Sequence, residues 1–114
     1  MQRSPITTHI LDTNLGKPAA DVTVRLWMER NGTWEAVAEA TTDQDGRINY
    51  WLGNQERLCG DYRIEFEVKE YFQRQKVATL YPRVDIYFTV TDASQHYHIP
   101  LLITANGYST YRGS

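Results

Sequence analysis

Hydrophobic and polar residues alternate with a period of two along most of the chain. The alternation is clearest over residues 22–29 and 61–68, where aliphatic and aromatic side chains take every second position. This period is typical of strands with one buried face. Strands are also predicted over residues 7–12, 33–42, 47–52, 84–90, 96–104 and 108–112. About eight strands separated by frequent turn residues predict an all-β sandwich or barrel.

Three segments between the strands carry specific local signals. Residues 69–77 lose the period of two and favour a short helix. Residues 31–32, Asn-Gly, are the dipeptide of a two-residue hairpin. Residues 43–46, Asp-Gln-Asp-Gly, resemble the start of a calcium loop, but the glutamate that closes such a loop is absent, which favours a tight turn. Arg47 follows this turn, where a cation is usually solvated.

The strand around residues 99–103, Ile-Pro-Leu-Leu-Ile, is apolar on both faces. A strand of a sheet with one face in water should alternate. The continuous apolar run therefore indicates that both faces are covered. We expect the second cover to come from another copy of the chain, which predicts an oligomer. A central strand that lies beneath a loop is the alternative.

Length and charge narrow the possible classes of protein. The 114 residues predict a single domain over residues 1–114. The net charge of −2 gives no electrostatic basis for nucleic-acid binding. No apolar run reaches the roughly 20 residues of a membrane helix, and no apolar leader follows the N-terminus. With Cys59 as its single cysteine, the chain is expected in the cytoplasm, and a processed periplasmic precursor stays open.

Three histidines are candidates for proton transfer, because histidine is the usual general base near neutral pH. Strand parity places His98 on the face opposite the expected core face of its strand. His9 lies on the corresponding face of the first strand, so the two histidines can meet in one interface. A lone strand histidine is more often simply satisfied by a neighbour or by solvent. His96, near the start of its strand, is expected at the surface.

The chain ends with Tyr111-Arg112-Gly113-Ser114, directly after a predicted strand. Terminal residues are usually frayed and polar. A rigid aromatic ring, a cation, a glycine and a free carboxylate without a spacer are unusual in this position. The alternative is a short last strand that happens to stop there.

Three motifs resemble those of the 5-hydroxyisourate hydrolases, also called transthyretin-related proteins. The first comprises residues 6–13, Ile-Thr-Thr-His-Ile-Leu-Asp-Thr, with Gly-Lys-Pro-Ala at 16–19, and the second is Asp-Gly-Arg at 45–47. The third comprises residues 96–102, His-Tyr-His-Ile-Pro-Leu-Leu, with the terminal Tyr-Arg-Gly-Ser at 111–114. The resemblance extends over essentially the whole chain, and the tail is its most specific part.

The resemblance implies a transthyretin-like sandwich of two four-stranded sheets, assembled as a homotetramer (a dimer of dimers) with active sites built from more than one chain. It implies hydrolysis of 5-hydroxyisourate to 2-oxo-4-hydroxy-4-carboxy-5-ureidoimidazoline, a ring opening on the way from urate to allantoin, without a metal or organic cofactor. By motif matching, the catalytic residues are His9, Arg47, His98 and Ser114, and the substrate-binding residues are Tyr111, Arg112 and Gly113.

For this chemistry we expect His9 or His98 to activate water as a general base, with Arg47 and Arg112 nearby to hold its pKa down. Arg47 would also stabilise the developing oxyanion, and Ser114 would orient substrate or water. The competing hypothesis is a transthyretin-like carrier of small molecules without catalysis, because fold alone does not separate the two. A third is a tail that only seals an oligomer interface. The histidines and Arg47 favour a polar anion site over the open apolar channel that a carrier needs.

Overall fold

The computed structural model describes residues 3–52 and 59–113. Within them, α1 (Lys69–Arg74) is the only helix, and it is neither long nor apolar enough to cross a membrane. The strands are β1 (Ile6–Asp12), β2 (Lys17–Pro18), β3 (Thr23–Arg30), β4 (Thr33–Thr41), β5 (Arg47–Ile48), β6 (Gly60–Glu67), β7 (Val84–Val90), β8 (Tyr97–Thr104) and β9 (Gly107–Thr110).

The strands form two sheets. The first has the order β2-β1-β8-β9, with β5 also paired to β1, and the second has the order β4-β3-β6-β7. β1 and β8 run parallel, and the other pairs are antiparallel. The molecule measures 39 × 33 × 20 Å, and its shortest dimension fits two sheets packed about 10 Å apart. The all-β sandwich predicted from the sequence is therefore confirmed.

The period-two alternation produces the core between the sheets. Leu26 of β3, together with Ile64 and Phe66 of β6, is fully buried, and Leu101 of β8 meets this layer from the first sheet. Phe72 of α1 adds an aromatic ring to the same core. Each such side chain stabilises the fold by about 1.5–3 kcal/mol relative to an exposed position.

The local predictions are largely confirmed, with small shifts in the ends of elements. Asn31 and Gly32 have φ angles of 53° and 79°, the left-handed values that a two-residue hairpin turn requires. The predicted helix begins as expected and ends at Arg74. β8 begins one residue later than predicted, at Tyr97, and β9 ends at Thr110.

Two short strands on the free edge of β1 account for the larger differences. β5 ends at Ile48, whereas a strand was predicted over residues 47–52. Beyond Ile48 the backbone binds the N-terminal segment instead, since the Ser4 Oγ accepts hydrogen bonds from the N–H groups of Trp51 and Leu52. β2, which was not predicted, is only two residues long. The first sheet therefore has five strands rather than the expected four.

Candidate functional site

The candidate site lies on the outer face of the first sheet, where β1 and β8 run side by side. In their register Thr7 is opposite His98, and His9 is opposite Pro100. Ile10 and Leu101 point inward and are wholly buried, whereas the two histidines alternate outward and are half-buried. The predicted parity of both histidines is confirmed, and the fold brings them to one face.

Arg47 joins this face from β5, directly opposite His9. The preceding turn holds it in place, because the Asp43 Oδ1 accepts a hydrogen bond from the Arg47 backbone N–H at 2.9 Å. Gly46 has a φ of 72°, and a Cβ there would lie 2.5 Å from the Ile10 carbonyl oxygen. Only glycine fits this close approach. The interpretation of the segment as a turn is confirmed.

Burial and neighbouring positive charge lower the pKa of both histidines below 6.5. For His9 the larger cause is burial, followed by the Arg47 guanidinium, and two nearby aspartates act in the opposite direction. For His98 the causes are burial, then Arg47 and then His9. A lowered pKa leaves both imidazoles neutral at pH 7. This is the protonation state that a general base needs.

Sequence reasoning missed the hydroxyl group of Thr7, which links two of the histidines. Thr7 is wholly buried, and its Oγ1 lies 2.8 Å from the Nδ1 of His98 and 3.0 Å from the Nε2 of His96. His96 is half-buried in this network, whereas it was expected simply at the surface. The sequence did place Thr7 on the same face of β1 as His9, because the two residues are two positions apart. Threonines are common in strands, so this placement alone did not single out Thr7.

The C-terminal tail runs against the imidazole of His98. The backbone N–H of Gly113 donates a hydrogen bond to the His98 carbonyl oxygen at 2.8 Å. A Cβ on Gly113 would lie 2.5 Å from the Cδ2 of His98, so the backbone comes as close to the ring as glycine allows. Ser114 lies outside the described residues.

Arg112 points elsewhere. Its guanidinium stacks 4.4 Å from the centre of the Tyr97 ring and donates a hydrogen bond to the Gln95 Oε1 at 2.9 Å. Tyr97 is directed to the core side of β8, away from His98. Arg112 also donates a hydrogen bond to the His96 backbone carbonyl oxygen at 3.3 Å. Arg112 is not among the groups that lower the pKa of His9 or His98, so the expectation that it lies beside these two imidazoles and holds their pKa down is wrong. Its neighbour Gly113 faces His98, and successive residues of an extended chain point in opposite directions.

Tyr111 and Arg112 instead line a groove of about 240 Å³ at the edge of the sandwich, between β7 and the end of β9. Tyr111 is largely exposed there. The structure thus brings Gly113 to the outer face of the first sheet that carries His9, His98 and Arg47, which we call the histidine face. It places the side chains of Tyr111 and Arg112 at the rim between the two sheets.

The histidine face combines groups with complementary chemistry. In the described parts of the chain, no group of three or more His, Cys, Asp or Glu side chains is arranged to hold a metal ion. The two neutral imidazoles can accept a proton from water. The guanidinium of Arg47 can bind an anion or a developing negative charge. Half-burial strengthens these electrostatic interactions relative to bulk water.

The chain resembles known proteins over nearly its whole length. The sequence model of the HIUase/Transthyretin family matches residues 6–113. The 5-hydroxyisourate hydrolase of Deinococcus radiodurans is 45% identical over 113 residues, which cover 96% of this chain and 95% of that protein. The Klebsiella pneumoniae 5-hydroxyisourate hydrolase structure has a TM-score of 0.81 at 38% identity, covering 96% and 98% of the two chains. Sea bream transthyretin in complex with thyroxine has a TM-score of 0.90 at 28% identity, covering 96% and 95%. The chain therefore belongs to the HIUase/Transthyretin family.

Proposed function

We propose that the protein hydrolyses 5-hydroxyisourate to 2-oxo-4-hydroxy-4-carboxy-5-ureidoimidazoline, a step in the degradation of urate to allantoin. The observation that carries the proposal is the convergence of His9, His98 and Arg47 on one half-buried face, with the two imidazoles neutral at pH 7. The hydrolases of Deinococcus radiodurans and Klebsiella pneumoniae, which carry this activity in their names, support it.

In the proposed reaction, His9 or His98 takes a proton from water while the water oxygen attacks a ring carbonyl of the substrate. Negative charge develops on the carbonyl oxygen, and Arg47 stabilises it. The ring C–N bond then breaks, and the proton passes from the imidazole to the departing nitrogen. A well-placed general base accelerates such a step by roughly 10²–10⁴-fold.

The tail completes the proposed site. Ser114 is proposed to orient substrate or water, and the lack of a Cβ at Gly113 lets the backbone at that residue approach His98. Tyr111 and Arg112 are proposed to bind substrate from the tail. Since their side chains line the edge groove of this chain, that role needs a site shared between chains. We therefore propose a homotetramer with composite sites, and a cytoplasmic location in keeping with the single exposed thiol of Cys59.

A second candidate function is transport without catalysis, because sea bream transthyretin has the same fold and was solved with thyroxine bound. A carrier of an aromatic hormone needs a mainly apolar channel. The face described above presents two imidazoles and a guanidinium, which suit a small polar anion better. The residues therefore favour the hydrolase although the fold permits both functions.

The deciding experiment follows the ultraviolet absorbance of freshly generated 5-hydroxyisourate, corrected for spontaneous decay, with an N-terminal tag that leaves Ser114 free. The wild-type chain should accelerate decay, and His9→Asn or His98→Asn should reduce kcat by roughly 10²–10⁴-fold for whichever histidine is the base. Arg30→Gln, on the second sheet, is the control and should match the wild type. Near wild-type turnover in both histidine variants refutes the site, and thyroxine binding without turnover supports the carrier.

Adding residues after Ser114 tests whether the tail belongs to the active site or only seals an interface between chains. An intact tetramer with poor turnover is expected if the tail belongs to the active site. Loss of the tetramer would instead support a tail that only seals an interface.

A further inference from the structure

We propose that Thr7 and His96 form a proton relay behind His98, which makes His98 rather than His9 the general base. The proposal rests on the hydrolysis proposed above and extends it to two residues outside the expected site. Its basis is the chain of hydrogen bonds from the Nδ1 of His98 to the Thr7 Oγ1 and on to the Nε2 of His96. No hydrogen bond joins the other ring nitrogen of His98 to any residue that the structure describes.

A hydroxyl group carries one proton, so Thr7 can donate to only one of its two histidine partners. If Thr7 donates to His96, the Nδ1–H of His98 donates to Thr7, and the Nε2 of His98 keeps a free lone pair. If Thr7 donates to His98, the Nε2 of His98 carries the proton instead. His98 is therefore a base in the first arrangement and an acid in the second. The position of one hydroxyl proton selects between the two roles.

The relay converts the first arrangement into the second during the reaction. As water attacks the substrate, the Nε2 of His98 takes a water proton. The Nδ1 proton of His98 moves to the Thr7 oxygen, and the Thr7 proton moves to the Nε2 of His96. His98 is then neutral with a proton on Nε2, which it can give to the departing ring nitrogen, and the reverse shift restores the starting state.

The surroundings of His98 favour moving the positive charge off its ring. Burial and the charges of Arg47, His9, His96 and Arg3 all disfavour a charged His98. In the strand register, His9 and its partner Arg47 lie on the Pro100 side of His98, and His96 lies two residues away on the other side. A proton passed to His96 thus moves away from the Arg47 guanidinium. The Arg112 guanidinium lies near His96 as well, but it binds the His96 backbone carbonyl oxygen and stacks on the Tyr97 ring. His9 has an imidazole of similar burial, but none of its described hydrogen bonds joins it to a second histidine.

The test compares Thr7→Val, which removes the hydroxyl at nearly constant volume, with Thr7→Ser, which keeps it. Thr7→Val should lower kcat by roughly 10–100-fold, as the loss of groups that orient a functional histidine does elsewhere, with KM little changed. Thr7→Ser keeps the hydroxyl and should retain a kcat close to that of the wild type. His96→Gln keeps a hydrogen-bonding group near Thr7 but cannot take the proton, so it should also lower kcat. Thr8→Val is the matched control, since Thr8 is equally buried but its hydroxyl donates only to the Ile99 carbonyl oxygen.

Ring ¹⁵N spectra of labelled histidine supply a readout that does not depend on turnover. The tautomer of His98 should change in Thr7→Val and should be retained in Thr7→Ser and Thr8→Val. An unchanged tautomer in Thr7→Val, or wild-type kcat in folded His96→Gln, overturns the relay. If Thr7→Val does not fold, His96→Gln decides. An inactive wild-type chain refutes the proposed function, and the tautomer measurement still decides whether Thr7 controls His98.

Discussion

At the scale of single residues, Arg47 acts on both histidines through its charge. Burial is the larger cause of the lowered pKa of His9 and of His98, and the charge of Arg47 lowers both pKa values further. Arg47 therefore helps to keep both imidazoles neutral as the pH falls toward 6.5. Arg47→Gln removes this charge, and both pKa values should rise. The protonated fraction at pH 6 then increases, and the acid limb of activity moves to higher pH. Proton NMR titration of the imidazole rings checks the shift directly.

If Arg47 stabilises the oxyanion as proposed, the same substitution should reduce kcat/KM by roughly 10²–10³-fold, because the developing negative charge would lose its charged partner. Arg30→Gln removes an equal charge from an exposed ion pair with Glu35 on the second sheet. It should leave both titration curves in place. Unshifted histidine pKa values in Arg47→Gln would contradict the electrostatic account of the site.

Gly113 has no side chain, and this lets the tail backbone pass close to the ring of His98. In Gly113→Ala the new Cβ would lie 2.5 Å from the Cδ2 of His98, so either the imidazole or the tail has to move. Movement of the ring strains its bond to Thr7, and movement of the tail breaks the bond to the His98 carbonyl. We expect kcat to fall by about 10-fold or more, in line with the losses that follow small displacements of catalytic groups.

Gly107→Ala is the matched control for this change, because its Cβ would meet only the Thr104 Oγ1 at 3.7 Å, an ordinary contact. It should retain wild-type turnover and the same melting temperature. Equal activity of Gly113→Ala and Gly107→Ala in a spectrophotometric assay would show that the close contact with His98 has no functional role.

At the scale of strands and helices, the sequence predicts well which face of its strand a residue occupies. It predicts poorly which strands pair and in which register. Alternation fixes which side of its own strand His9 or His98 occupies, whatever lies next to that strand. The contact between Thr7 and His98 joins residues 91 positions apart and depends on the register of the parallel β1–β8 pair. No local pattern encodes that register. The direction of Arg112 was missed for a related reason, since it follows from the pairing of Gly113 with His98.

A hydrogen bond between α1 and β1 leads to a prediction about the stability of the fold. Asp12 is wholly buried, and its Oδ2 accepts a hydrogen bond from the Tyr71 hydroxyl at 2.5 Å. Burial, followed by this bond to Asp12, raises the pKa of Tyr71 to about 12. Tyr71→Phe leaves this carboxylate oxygen without its donor. It should lower the free energy of unfolding by about 1–3 kcal/mol. Denaturant unfolding measures the change, with Tyr108→Phe, whose ring is partly exposed, as control.

Turnover should survive in Tyr71→Phe at temperatures where the variant is folded. Within the described part of the chain, the Tyr71 hydroxyl binds Asp12 and its ring contacts Phe72 and Arg74, none of which belongs to the proposed site. Loss of activity without loss of stability would indicate that α1 affects the site, which its position does not predict.

At the scale of the whole molecule, the outer faces of the two sheets differ. The second sheet covers its outer face with polar networks, such as Arg25 with Glu39, Glu65 and Glu67. The first sheet presents the histidines together with Leu102, which is half-buried in the single chain. The shortest dimension of 20 Å accommodates two sheets, and residues 3–52 and 59–113 contain no third layer that covers that face. The predicted oligomer should therefore assemble through the first sheet.

Light scattering after size exclusion should give about four times the chain mass of 13.2 kDa. Leu102→Glu puts a carboxylate into the proposed interface, where an unpaired charge costs several kcal/mol. Association should weaken by at least about 100-fold, since each 1.4 kcal/mol is a factor of ten. Ala36→Glu places the same charge at an exposed position of β4 and should remain tetrameric. If sites are shared between chains, turnover falls with tetramer content in Leu102→Glu and recovers at high protein concentration, whereas a fully active monomer would refute the composite site.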